Sequence, residues 1–149
     1  MILVDTNVLA RTLQVEHIHH QAATNAIAYQ REKMGEVCVI TPQILVEFYA
    51  IGTRRQNGLG LTAEQTLGWI ENFKQRFPLL DETPALFAQW EFLVAKYKPA
   101  NRQVFDTRHV ASMLVNNVFS ILTFNDKDFL PFTEIKTFNP FDVLNFPRV

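Results

Sequence analysis

Apolar positions along the chain change their period several times, and each change marks an element. Ile2, Leu3 and Val4 form a continuous apolar run, which suits a strand buried on both faces of a parallel sheet. Val8, Leu9 and Leu13 follow at helical spacing, behind Thr6 and Asn7, which can cap a helix. Residues 17–36 are predicted as a helix with Ala22, Ala23, Ala26, Ile27 and Met34 toward the core, and 37–40 as a second buried strand. Thr41 and Pro42 read as N-cap and first helical residue. Ile44, Phe48 and Ile51 then make one apolar stripe. A polar, glycine-containing loop covers 54–60. Thr62 opens the next helix, with Gln65 placed for a capping box and Leu67, Ile70, Phe73 and Phe77 as its apolar face. Pro78 limits 77–80 to an edge strand. Thr83 and Pro84 repeat the start signal for a helix over 85–98. These last two helices are expected to form an inserted pair, a lid or a dimer face. A further helix opens near Phe105, turns Val110, Met113 and Leu114 inward and stops at Asn116-Asn117. Residues 119–122 and 135–138 are the remaining strands, and Asn139-Pro140-Phe141-Asp142 closes the pattern.

Alternating strands and helices imply a parallel sheet joined by right-handed crossovers. Ligands of such sheets lie outside the carboxyl ends of the strands. Asp5 stands where the first strand should end, and it is read as either an acid over that cleft or a helix cap. Glu47 falls inside the apolar stripe of its helix. A carboxylate there requires a metal or a charged partner, for which Arg11, Arg54 and Arg55 are the arginines in reach. Asp106 sits in a first helical turn, where the helix dipole alone also favours a negative charge. Asn125, Asp126 and Asp128 follow another strand. Four acidic places without cysteine describe a site for a hard cation, Mg²⁺ or Mn²⁺.

Composition fits an ordinary globular protein, and residues 1–149 are expected to form one domain: 48% hydrophobic, 19% charged, 5 Gly, 7 Pro. The net charge of −1 argues against a binder that grips phosphates broadly, though not against an enzyme whose metal supplies local positive charge. The single cysteine, Cys38, lies in an apolar run and reads as a buried, inert thiol. No signal segment or membrane span is expected, so the cytoplasm is the expected compartment. His17, His19 and His20 read as a solvated helix start in preference to a zinc site, with His109 alone elsewhere. Most of the 13 Phe residues fall at helical or strand spacing, and those are expected in the core, not as a platform for bases.

Asp5-Thr6-Asn7-Val8-Leu9, Leu45-Val46-Glu47-Phe48-Tyr49, Phe105-Asp106 and Thr123-Phe124-Asn125-Asp126-Lys127-Asp128-Phe129, in this order, resemble the PIN domain family, most closely its VapC-type toxins. The resemblance implies a three-layer α/β/α sandwich with a mainly parallel sheet and a metal-dependent endoribonuclease. It also implies a small antitoxin partner and a homodimer. Asp5, Glu47 and Asp106 match the first three acidic positions of the family. Asp126 is favoured for the fourth, with Asn125 and Asp128 as alternatives or supporting groups, and Thr6 and Asn7 would support Asp5. Asp5 and Asp106 would ligate Mg²⁺ or Mn²⁺, Glu47 directly or through water. Arg11, Arg54, Arg55, Arg102, Arg108 and Lys127 flank these motifs as candidates to grip RNA phosphates, or as solvated surface charges. Two other readings stay open. One is a catalytically weak module that binds RNA or protein. The other is an aspartyl phosphatase, which would want an acid where Asn7 stands.

Overall fold

The computed structural model describes residues 1–145 and Arg148. Its elements in chain order are β1 (Ile2–Val4), α1 (Thr6–Leu13), α2 (His20–Glu32), β2 (Cys38–Val39), α3 (Pro42–Thr53), α4 (Ala63–Arg76), α5 (Ala85–Tyr97), α6 (Gln103–Val115), β3 (Ser120–Leu122), α7 (Asp126–Phe129), β4 (Lys136–Phe138) and α8 (Pro140–Val143). The sheet order is β2-β1-β3-β4, and every pairing is parallel. From β1 the chain steps to β2 on one side, then crosses back past β1 to β3 on the other. Right-handed crossovers in opposite directions cover opposite faces of the sheet. The result is a three-layer α/β/α sandwich whose order reverses beside β1, where open α/β sheets bind ligands.

β1 is buried throughout, as its unbroken apolar run requires, and its neighbour β3 is buried at Ile121 and Leu122. The edge-strand expectation at 77–80 is met by a single parallel bridge, Ile40 with Leu79. Pro78 has no N–H to extend it, although its carbonyl accepts from the Ile40 amide at 3.0 Å. The caps at Thr41 and Thr62 form as predicted, the second with a complete capping box to Gln65. Cys38 is buried.

Several expectations are corrected. The helix over 17–36 is shorter at both ends. Gly35, at φ +67°, sits in the turn beyond it, and Met34 is exposed instead of core-facing. On α4, Leu67 is exposed and Thr66 is buried in its place, because α4 packs on α3 through a tight approach. A Cβ on Gly52 would meet the Thr66 methyl at 2.5 Å. The two helices α4 and α5 are not an inserted pair: α4 packs mainly on α3, and α5 mainly on α6. Phe87, Phe92, Phe105 and Phe119 are exposed, so the phenylalanines are not all core. None of the described helices is long and apolar enough to cross a membrane.

Candidate metal centre

Asp5 directly follows β1 and caps α1, which places its carboxylate at the carboxyl end of a central strand. Its Oδ1 accepts from the Thr6 amide at 2.7 Å. Its Oδ2 accepts from the Thr123 hydroxyl at 2.6 Å and from the Asn7 side-chain amide at 2.8 Å. Asn7 in turn accepts from the Phe124 amide at 3.1 Å. The carboxylate is therefore fixed by residues that follow two adjacent strands, β1 and β3.

Glu47 is carried to the same point by α3, which packs on α1. The Thr6 hydroxyl, buried between the two helices, lies 3.3 Å from Glu47 Oε2. The charged partner expected among arginines is a histidine: His109 Nε2 stands 3.1 Å from Glu47 Oε2. Gln43, one turn earlier on α3, donates to Glu47 Oε1 at 2.8 Å. Arg11 instead reaches the Gln14 side chain, and Arg54 donates to the Asn57 carbonyl at 2.7 Å. One ligand atom each from Asp5, Glu47 and His109 can be chosen so that all lie within 4.8 Å of one another.

Asp106 lies one helical turn before His109, on the same face of α6. Burial drives its carboxyl up to about 6; His109 opposes that shift, whereas Asp128, Asp5 and Glu47 add to it. Burial also raises Asp5, against the pull of His109 and of the hydrogen bonds from Thr123 and Thr6. Burial alone would raise Glu47, but its hydrogen bonds and the His109 charge outweigh that, and its carboxyl is lowered. Burial would lower His109, and Glu47, Asp5 and Asp106 together outweigh it, so the imidazole is raised. These shifts describe carboxylates crowded around one imidazole.

The third acidic stretch divides. Asp126 opens α7 and turns away from the cluster: it accepts from the Asn139 side chain at 2.9 Å and pairs with Arg148 at 3.1 Å. Asp128 is exposed and is the acid that contributes most to raising Asp106. Asn125 is exposed, its amide donating to Thr123 Oγ1 at 3.0 Å. Of the basic candidates, Arg108 is built into the site's wall, donating to Gln43 Oε1 at 2.7 Å and pairing with Glu82 at 3.0 Å. Arg55, Arg102 and Lys127 are exposed. The histidines near α2 diverge. His17 accepts from the His19 amide at 3.0 Å, His19 stacks on Phe124, and His20 lies 2.9 Å from the Arg11 carbonyl.

Gln43, His109 and Thr123 were not assigned to the site from sequence. The spacing held a signal for two of them: Gln43 is four residues before Glu47 and His109 three after Asp106, both on the acid's own helix face. Thr123 carried none beyond its place after a strand. The donor set suits a hard divalent cation. Two of the three converging donors are carboxylates, Asp5 and Glu47, with His109 as the third, and burial together with neighbouring carboxylates raises Asp5 and Asp106, an arrangement compatible with a bound cation.

A family model described as PIN domain matches residues 2–134. No curated protein matches the sequence. Solved structures share the fold at low identity. VapBC-1 from nontypeable Haemophilus influenzae aligns with a TM-score of 0.69 at 18% identity, covering 94% of this chain and 98% of that one. VapC20 of Mycobacterium tuberculosis, a sarcin–ricin loop cleaving toxin, aligns with a TM-score of 0.56 at 17% identity over 81% and 87%. DNA-bound VapBC from Salmonella typhimurium aligns with a TM-score of 0.63 at 18% identity over 94% and 99%.

Proposed function

The chain belongs to the PIN domain family, and we propose that it is a divalent-metal-dependent endoribonuclease, the toxin of a toxin–antitoxin pair. The observation that carries this reading is the convergence of Asp5, Glu47 and His109 donor atoms within 4.8 Å, beside an Asp106 whose carboxyl neighbouring charge and burial hold near 6. In this reading Asp5 and Asp106 hold the ion, Mg²⁺ or Mn²⁺, directly. When bound, it supplies activation of the attacking water and compensation of charge on the phosphate. Glu47 contributes directly or through water, and its orientation is set by Gln43, Thr6 and His109. Thr123, Asn7 and the Thr6 amide keep the Asp5 oxygens from rotating out of place. For the fourth acid the geometry favours Asp128 over Asp126, since Asp126 is occupied by Asn139 and Arg148.

RNA as substrate rests on the family and is supported by the sarcin–ricin loop cleaving activity named for the Mycobacterium tuberculosis neighbour. An antitoxin partner is supported by the VapBC neighbours, which share the fold. A homodimer, a cytoplasmic location and one domain over 1–149 complete the proposal. The rival reading, a non-catalytic module for RNA or protein, predicts a degraded acidic cluster, and this one retains Asp5, Glu47 and Asp106. Incubation of the pure protein with a panel of structured RNAs tests the proposal. Cleavage with Mg²⁺ that stops with EDTA supports it; binding without cleavage under either condition would favour the module.

A further inference from the structure

Beside the acidic centre, between the start of α5 and the start of α6, lies an open cleft of about 570 Å³, within the range of small-ligand pockets, roughly 300–1,000 Å³. Phe87 and Phe105 line it although they are 64% and 61% exposed. Phe87 stacks on Trp90, with centroids 5.6 Å apart and planes 25° from parallel. Trp90 is pinned across the two helices by donating its indole N–H to the Val104 carbonyl at 3.2 Å. The cleft is not wholly apolar: the Arg108–Glu82 ion pair, at 3.0 Å, stands in its wall.

That wall leads into the metal centre. Arg108 donates to Gln43, and Gln43 donates to Glu47. Phe105 and Asp106 are consecutive, so their Cα atoms are about 3.8 Å apart. The Arg108–Gln43–Glu47 chain of contacts and the shared first turns of α6 therefore put the cleft next to the acidic centre.

We propose that this cleft is a nucleobase subsite, which seats one unpaired base of single-stranded RNA while an adjacent phosphate lies at the acidic centre. The proposal rests on the ribonuclease reading above and narrows its substrate to RNA whose bases can be splayed out. An unpaired base has two apolar faces and a hydrogen-bonding edge. The exposed rings of Phe87 and Phe105 match the faces, and the Arg108–Glu82 pair offers donors and an acceptor to the edge. A wholly apolar occupant, such as a helix from a partner or a second copy, would cover that ion pair without matching it.

The test uses Trp90 as reporter. The chain has 2 Trp, so a Trp69→Phe background leaves Trp90 as the only tryptophan, read by selective tryptophan excitation. In EDTA, a single-stranded RNA pentamer should quench its fluorescence. Inorganic phosphate and an abasic strand of equal length should not. Adding Phe87→Ala and Phe105→Ala together should weaken pentamer binding by about tenfold or more, with Tm and Mn²⁺ binding as in the parent. Equal binding by the double variant, or by the abasic strand, would overturn the subsite and leave the ribonuclease reading standing. RNA that neither binds to nor is cut by the parent would remove both. A dimer that the double variant splits, with RNA binding unchanged, would give the cleft to a second copy and overturn the proposal.

Discussion

Glu47 Oε2 and His109 Nε2 stand 3.1 Å apart, joining α3 to α6 through a histidine whose side chain is 3% exposed. The pair fixes the orientation of one acid of the cluster and sets an imidazole among the others. Its stability contribution has a pH window set by both partners. The histidine is raised from 6.5, so its part is present below that value and lost as pH rises through its folded pKa. The glutamate is lowered from 4.5, so its part is present above that value and lost as pH falls through its folded pKa. His109→Gln, which keeps a donor but not the charge, should therefore destabilise the metal-free protein by about 1 kcal/mol near pH 6, allowing for solvent around the glutamate. The loss should shrink by pH 9. Denaturant melts at the two pH values decide it; an equal loss at both would mean that the charge contributes nothing.

Asp106 behaves in the opposite sense to Glu47. Its carboxyl is raised from 3.8 to about 6, so the folded state loses stability as pH rises through 6, and the charged form is a strain at neutral pH. Asp106→Asn should leave the metal-free protein as stable at pH 7 or more stable by about 1 kcal/mol, discounted for the group's partial exposure. Cleavage should be abolished in the same variant. A loss of about 2 kcal/mol instead would make Asp106 a structural helix-start residue.

Asp126 and Asp128 separate by readout. Asp126 ties α7 to Asn139 and Arg148, so Asp126→Asn should change the thermal melt more than the cleavage rate. Asp128 acts on Asp106, so Asp128→Asn should slow cleavage about tenfold or more and weaken Mn²⁺ binding with it. The reverse order, measured by single-turnover cleavage and calorimetry, would return the fourth position to Asp126.

The fold was legible because its strands are short, apolar and bounded by clear signals. Ile2, Leu3 and Val4 can only be buried on both faces, and Thr41-Pro42 and Thr62-Gln65 mark helix starts by side-chain chemistry that acts locally. What depends on distant packing was not legible. Leu67 looks like core by period, but the closeness of Gly52 to Thr66 rotates α4 so that Leu67 faces solvent. The three acids of β1, α3 and α6 could be picked out singly, since each violates its local pattern or ends a strand. Their mutual support could not: Thr123 and Asp5 are 118 positions apart in sequence, and His109 is an ordinary helical residue until α3 brings Glu47 to it. Counting from the strand favours Asp126, but α7 begins there and the Asp126 carboxylate meets Asn139 and Arg148, contacts that the sequence does not announce.

If these carboxylates are assembled for a divalent ion, calorimetric titration of Mn²⁺ into chelator-stripped protein will detect it. Saturable binding is predicted, stronger at pH 7 than at pH 5 because the ion must displace the proton from Asp106. It should be lost when Asp5→Asn and Asp106→Asn are combined. The absence of saturable binding in the parent, or undiminished binding in the double variant, would mean that Asp5 and Asp106 do not hold a metal ion.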